Sequence, residues 1–307
     1  MLRVVVLTHG PGHAASGVAA RLLEEGIDAE RILVVQNPTE PGMAAPEMPD
    51  PGVEVLQAPR NLGYARGMNL GMQRALDAGA TWVLLLTHDA EWRPGAIRAL
   101  HAAAQAHPEY GVLGPELEDT SKGTLFSYGV RMNALGATRH LTAPPPAEDG
   151  IYPCESIDGA FTLLRADMLR RVGLYDEKLF GYAEESELHL RARRAGWKVG
   201  VVAGARGGQD VGGLSRPGPY AYLMTRNGLN LARLAAGPPG VAAGVARFLF
   251  YAAVYARRVV DPRRGAASKA HARAYVQGVL RGLADYFRGR WGPPPATLSG
   301  MGDMRGL

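Results

Sequence analysis

Aliphatic runs and helical spacings alternate along the first half of the chain. Residues 2–7 form a β-branched run that ends at His9-Gly10-Pro11, the pattern of a buried strand. Residues 14–25 carry Val18, Leu22 and Leu23 at helical spacing. A second buried strand is predicted over 31–35, closing at Asn37-Pro38-Thr39. A third is predicted over 53–56, after a loop rich in proline and glycine. Residues 69–78 read as a helix, 82–86 as a fourth strand and 95–106 as the next helix. Strands alternating with helices imply βαβ units and an α/β fold, with a mainly parallel sheet flanked by helices.

The second half is less regular. Pro144-Pro145-Pro146 marks a loop over 141–152. Strands are predicted at 160–165 and 199–202, and helices at 166–172 and 186–195. From Tyr220 onward the pattern is mostly helical. Residues 241–255 are strongly apolar but interrupted by Arg247 and followed by Arg257-Arg258. An unbroken membrane span needs about 20 apolar residues, and this run falls short. The plainer expectation is a helix packed on the main domain or on a second subunit. The alternative is a helix lying on a membrane surface beside Arg263 and Arg264.

The 307 residues suffice for one large domain or two small ones, and 47% hydrophobic with 21% charged residues is ordinary for a globular protein. Only four of the 34 basic residues are lysines, so arginine carries the net charge of +5. Arginine makes planar, two-pronged contacts with phosphate, which suits an anionic ligand; a coding bias that also enriches alanine and glycine is the plainer explanation. Cys154 is the single cysteine, so neither an internal disulfide nor a cysteine-built metal site is expected. The apolar run at the N-terminus is too short for a secretory or membrane segment, and a cytoplasmic location is expected.

In an open α/β sheet, ligands bind beyond the carboxyl ends of the strands. The predicted strands end in Thr8-His9, Gln36-Asn37 and Thr87-His88-Asp89-Ala90-Glu91, which puts polar groups on one rim. Asp89 and Glu91 are suited to Mg²⁺ or Mn²⁺, hard cations that take oxygen ligands and share them with a diphosphate. The stretch Asn61-Leu62-Gly63-Tyr64-Ala65-Arg66 has a glycine that lets backbone approach a ligand, and a helix opening near Asn69 offers N–H groups. Glu184, Glu185 and Glu187 cluster at a predicted helix start. They satisfy the helix dipole, and one of them, raised in basicity by its neighbours, is a candidate general base.

Taken in order, these pieces resemble the family 2 glycosyltransferases, particularly their rhamnosyltransferase-like branch. The resemblance runs over about residues 1–230: Val34-Val35-Gln36-Asn37, Asn61 to Gly71, Asp89-Ala90-Glu91, Asp158-Gly159-Ala160, Gly173-Leu174-Tyr175-Asp176, Glu184 to Leu188 and Arg226-Asn227. It implies a GT-A fold over 1–230, with a helical extension over 231–307 packed on that domain or on a second subunit. It also implies inverting transfer from a nucleotide-diphosphate sugar to a glycan, lipid-linked or small-molecule acceptor, with Mn²⁺ or Mg²⁺ as cofactor. Residue by residue, Glu185 takes the place of the catalytic base with Glu184 before it. Asp89 and Glu91 take the metal positions, and Asp210 or Gln209 stands where many members carry a histidine ligand. The donor site would comprise Thr8, Gln36, Asn37, Asn61, Gly63, Arg66, Asn69, Asp89, Asp158, Gly159 and Arg226, the last as a phosphate contact. The chain departs from the pattern in reading Asp-x-Glu, Glu-Glu, and Gln36 where many members have an aspartate at the base pocket. A degenerate transferase that binds nucleotide sugar or a partner protein is the non-enzymatic alternative. A nucleotidylyltransferase would need arginine and lysine directly after the first strand, where none occurs.

Overall fold

The computed structural model describes residues 1–9, 13–39, 42–209 and 216–299. From Leu2, β1 (Leu2–His9) leads into α1 (His13–Glu24), β2 (Ile32–Asn37), β3 (Glu54–Gln57), α2 (Gly63–Asp77), β4 (Trp82–Thr87), β5 (Glu91–Trp92) and α3 (Ala96–Ala106). There follow β6 (Tyr110–Asp119), β7 (Thr124–Ser127), β8 (Val130–Met132), β9 (Thr138–His140), β10 (Ile151–Pro153), β11 (Phe161–Arg165), α4 (Ala166–Val172), α5 (Glu184–Arg194) and β12 (Lys198–Gln209). The chain closes with α6 (Pro217–Val260), α7 (Ala266–Phe287) and α8 (Ala296–Ser299).

The main sheet has the order β10-β12-β6-β11-β4-β1-β2-β3. From β3 to β4 it is parallel, as the βαβ pattern predicts. Beyond β4 it is mixed, because β11 runs antiparallel to both β4 and β6. Side chains alternate between its faces with the two-residue period of a strand. Val4 and Val6 join the layer of α1 and α3, with Val18, Leu22, Ile97 and Leu100. Val5 and Leu7 join the layer of α2, α4 and α5, with Met68, Met72, Leu169 and Leu188. Burying such a side chain contributes about 1.5–3 kcal/mol.

The pattern does not predict β5 to β10, and two of the predicted elements differ markedly in extent. The helix expected from Asn69 starts at Gly63, six residues earlier, because side chains from outside satisfy its first donors. Leu62 N–H donates to Asn37 Oδ1 (2.7 Å) and Gly63 N–H to Asn61 Oδ1 (2.9 Å). The strand expected over 199–202 runs on to Gln209. A register shift between Val202 and Arg206 lets its glycine-rich second half pair with β6 and with β5.

The chain forms two compact units. One, with the main sheet, comprises residues 1–131, 139–176 and 185–212. The other comprises 132–138, 177–184 and 213–307, and is mostly helical. In it α6 breaks at Gly237 (φ 64°), directly before Pro238-Pro239, a pair that lacks the N–H groups an unbroken helix needs. Leu229 from before the break packs with Phe248 and Ala252 from after it and with Val279 of α7. By length and composition alone α6 also holds a stretch apolar enough to cross a membrane, which counting the Arg247 interruption does not predict.

Candidate active site

Because β1, β2 and β4 are parallel, their carboxyl ends share one rim. Thr8 lies level with Gln36, His9 with Asn37 and Leu7 with Thr87. Thr8 and Gln36 are fully buried, and Gln36 Nε2 donates to the Ala44 carbonyl at 3.0 Å. The Asn37 amide ties this rim to the start of α2. Its Nδ2 donates to Asn61 Oδ1 (3.1 Å) and the Gly63 carbonyl (3.2 Å), while its Oδ1 receives Leu62 N–H. Arg66, one turn further along α2, is exposed. Asn69 does not open a helix. It is buried within α2 and exchanges two hydrogen bonds with the Tyr175 backbone (2.9 and 3.0 Å), so its expected role at a helix start is corrected to one of clamping the 173–176 turn.

The antiparallel run of β11 brings its beginning to the same rim. Thr87 N–H donates to the Ala160 carbonyl at 3.1 Å, and Phe161 pairs with Leu86. Tyr64 Oη donates to the Gly159 carbonyl at 2.6 Å, and a Cβ on Gly159 would stand 2.9 Å from that hydroxyl. Only glycine fits this approach without movement. Burial pushes the Asp158 carboxyl above the usual carboxylate range, and His140, its Nδ1 3.6 Å from Oδ2, pulls it back.

Asp89 and Glu91 are both exposed. A turn closed by Ala90 N–H to the Thr87 carbonyl (3.0 Å) carries Asp89, and His88 N–H donates to the Leu7 carbonyl (3.0 Å). Glu91 opens β5 and lies opposite Gly208 of β12, while the next residue, Trp92, is buried. Glu91 also lines a cleft of about 180 Å³ with Arg93, Glu118 and Arg206. Asp210, the third expected metal position, lies outside the described residues. Among the described residues no group of three His, Cys, Asp or Glu side chains could hold a metal ion. Two exposed carboxylates still fit Mg²⁺ or Mn²⁺, since such ions are commonly held by one or two carboxylates and complete their shell with phosphate and water.

At the start of α5 the three glutamates part in role. Glu187 is buried and forms a two-pronged pair with Arg191 (2.7 Å at both oxygens), whose guanidinium also donates to the Val172 and Leu174 carbonyls. It is committed to structure. Glu184 is buried and Glu185 half-buried. The helix start is held beside the 156–158 stretch by residues the sequence reading passed over. Ser156 Oγ lies 3.2 Å from Ser186 Oγ and 2.8 Å from His189 Nδ1, and Ile157 N–H donates to the same nitrogen at 3.3 Å. Burial pushes His189 down to about 3, so its ring is neutral and Nδ1 is the acceptor. The spacing of Ser186 and His189, one helical turn apart on α5, was the available signal.

Arg226 belongs to the helical unit. It is fully buried, and every guanidinium nitrogen donates within the protein: Nε to Asn227 Oδ1 (3.0 Å), one terminal nitrogen to Tyr222 Oη (3.1 Å) and the Gly292 carbonyl (2.8 Å), the other to the Leu179 carbonyl (3.1 Å). The expected phosphate contact is corrected by this burial.

The rim, with its carboxylates and tied loops, can be set beside known proteins. A sequence model described as Glycosyltransferase like family 2 matches residues 18–228. The chain belongs to that family. The transferase is 29% identical over 222 residues to an N-acetylglucosaminyl-diphospho-decaprenol L-rhamnosyltransferase of Mycobacterium tuberculosis, an alignment covering 64% of this chain and 72% of that one. It is 29% identical over 148 residues to the galactofuranosyltransferase GlfT1 of the same species, covering 48% of each. Among solved structures, GalNAc-T7 with UDP, GalNAc and Mn²⁺ superposes with a TM-score of 0.57 at 11% identity, covering 96% of this chain and 59% of that one. The mannosyltransferase PcManGT of Pyrobaculum calidifontis, solved with GDP-Man and Mn²⁺, superposes with a TM-score of 0.52 at 12% identity, over 92% and 87%. The fold is GT-A, as the sequence resemblance implies.

Proposed function

We propose that the transferase moves a sugar from a nucleotide-diphosphate donor to an acceptor hydroxyl with inversion at the anomeric carbon. The supporting observation is one path along the rim. Glu185 precedes Ser186, which contacts Ser156; two residues on lies Asp158, and the Ala160 carbonyl that follows binds Thr87, two residues before Asp89. A proposed base, a sugar-side acid and a proposed metal ligand are thereby carried by neighbouring segments of the same unit.

In this reading Glu185 takes the proton of the acceptor hydroxyl as its oxygen bonds to the anomeric carbon. The bond from that carbon to the diphosphate breaks on the opposite face, and the diphosphate leaves with the electron pair. Asp89 and Glu91 hold the divalent cation. A bound Mn²⁺ or Mg²⁺ supplies neutralisation of the charge growing on the leaving diphosphate. Arg66 contributes a cation on α2, the role Arg226 cannot fill. Asp158 and the Gly159 turn border the transferred sugar.

The rhamnosyltransferase relative is named for a lipid-linked acceptor, and we extend that class to this chain. Support comes from the second half of α6, where Leu249, Phe250, Ala253, Arg257 and Val260 form an exposed stripe at helical spacing, with Arg263 and Arg264 exposed beyond it. This stripe would rest on an anionic membrane surface at the cytoplasmic face. The deciding experiment is incubation with a panel of nucleotide sugars and polyprenyl-diphosphate acceptors. Turnover should appear for the wild type and fall by at least about 10²-fold in Glu185→Gln, the usual scale for general-base loss. Undiminished turnover in that variant would remove Glu185 from the base role.

A further inference from the structure

The backbone leading to the proposed base is unusual. Phe180 (φ 68°), Tyr182 (φ 65°) and Ala183 (φ 69°) all adopt the left-handed region, and none is glycine. Each costs about 1 kcal/mol or more, so such a run persists only where its surroundings enforce it.

What enforces it is Asn227. Its Nδ2 lies 2.9 Å from the Leu179 carbonyl and 2.8 Å from those of Gly181 and Tyr182, so two amide hydrogens are shared among three acceptors. Arg226 orients that amide: Nε donates to Asn227 Oδ1 at 3.0 Å, which turns the nitrogen toward the loop. The same guanidinium donates to the Leu179 carbonyl, and its other terminal nitrogen is held by Tyr222 Oη and the Gly292 carbonyl. Asp285 Oδ2 accepts from Tyr222 Oη at 3.1 Å and fixes it in turn. Phe180 seals the turn from water by packing with Tyr222 and Leu223. All of these groups lie in the helical unit, and the turn they hold runs covalently into Glu184-Glu185.

We propose that Arg226 and Asn227 are positioning residues for the transfer reaction. They fix the conformation of residues 179–183, and so the backbone direction in which the chain enters Glu184-Glu185. The inference rests on the reading of Glu185 as the base. Because the pair acts on a backbone turn rather than on a ligand, its loss should lower kcat and leave the donor KM in place.

The test is a double-substitution cycle on the full chain with Asn227→Ala, Glu185→Gln and the two combined, following donor turnover. Asn227→Ala should lower kcat about 10- to 100-fold, the scale expected when a catalytic group is displaced by about 1 Å, and the same substitution should change little in the Glu185→Gln background. Hydrogen exchange should accelerate at residues 179–185. Asn227→Asp keeps the shape, replaces the donor with a repelling carboxylate and should show the same kcat loss, which serves if the alanine variant does not fold. Wild-type kcat in both Asn227 variants, or a loss carried by donor KM, would overturn the positioning role. An equal loss in both backgrounds would assign Asn227 to general stability instead. If Glu185→Gln is itself fully active, the base reading fails, and a separate exchange result at 179–185 still reports whether Asn227 holds the turn.

Discussion

Tyr64 Oη donates to the Gly159 carbonyl across 2.6 Å, joining the first turn of α2 to the beginning of β11 over 95 residues of sequence. The contact ties the loop at Asn61 to the segment at Asp158, and it leaves no room for a side chain at Gly159. In Gly159→Ala the new methyl would stand 2.9 Å from that hydroxyl, so the tyrosine or the turn must shift. Donor KM is expected to rise about 10-fold in Gly159→Ala, since a displaced contact of this kind costs about 1–2 kcal/mol. Adding Tyr64→Phe removes the clashing oxygen and should recover part of that loss. Unchanged kinetics in Gly159→Ala would show that the turn is not part of the donor site.

His189 ties the fold to pH. Its ring is buried and pushed from 6.5 to about 3, so the unfolded chain binds a proton between those values that the folded chain does not. Stability then rises with pH through this window: it is complete above 6.5 and declines on acidification by up to about 1.4 kcal/mol per pH unit. Melting temperature should therefore fall between pH 6.5 and 4, by about 2–4 °C for each kcal/mol lost. His189→Gln should flatten that slope relative to wild type. An equal slope in the variant would place the acid sensitivity elsewhere.

The α/β order, the parallel strands β1 to β4 and the polar rim at Thr8, Asn37 and Asp89 are legible because each strand is a short aliphatic run bounded by turn residues. The start of α2 is not legible, since Gly63 and Gly67 read as loop until Asn37 arrives from β2 to accept from Leu62 N–H and donate to the Gly63 carbonyl. The same limit hides Ser156 and His189, which meet over 33 residues of sequence and carry no motif. Arg226 misleads in the opposite direction. The family resemblance points it at a phosphate, and only the folded chain reveals Tyr222, Gly292 and Leu179 surrounding it.

Asp89 and Glu91 are expected to differ in weight. Asp89 sits on the turn after β4, within two residues of Thr87 and its bond to Ala160, whereas Glu91 is drawn into the β5 pairing with Gly208. Calorimetry with a nucleoside diphosphate should show Mn²⁺ raising affinity at least about 10-fold in the wild type, about 1.4 kcal/mol. That enhancement should vanish in Asp89→Asn and persist in part in Glu91→Gln. Metal-independent binding in the wild type, unaltered by loss of Asp89, would instead favour a binding protein of transferase fold.

The exposed stripe on α6 leads to a measurement in lipid. Phe250 is 63% and Val260 77% exposed, an uncommon state for large apolar side chains on one helix face, and the basic groups Arg257, Arg263 and Arg264 lie along or just past it. Apolar insertion and attraction to anionic headgroups act together on such a helix, so both should appear in the binding data. Co-sedimentation is expected with vesicles containing anionic phospholipid, weaker with purely zwitterionic ones and weaker again at high salt. Phe250→Glu should reduce binding about 10-fold or more, because burying a phenylalanine contributes about 1.5–3 kcal/mol. Turnover of a water-soluble acceptor analogue should be unaffected by that change, whereas turnover of a vesicle-embedded acceptor should fall with binding. If Phe250→Glu leaves vesicle binding intact and instead converts a dimer to a monomer, the stripe is a subunit interface and the membrane assignment is wrong.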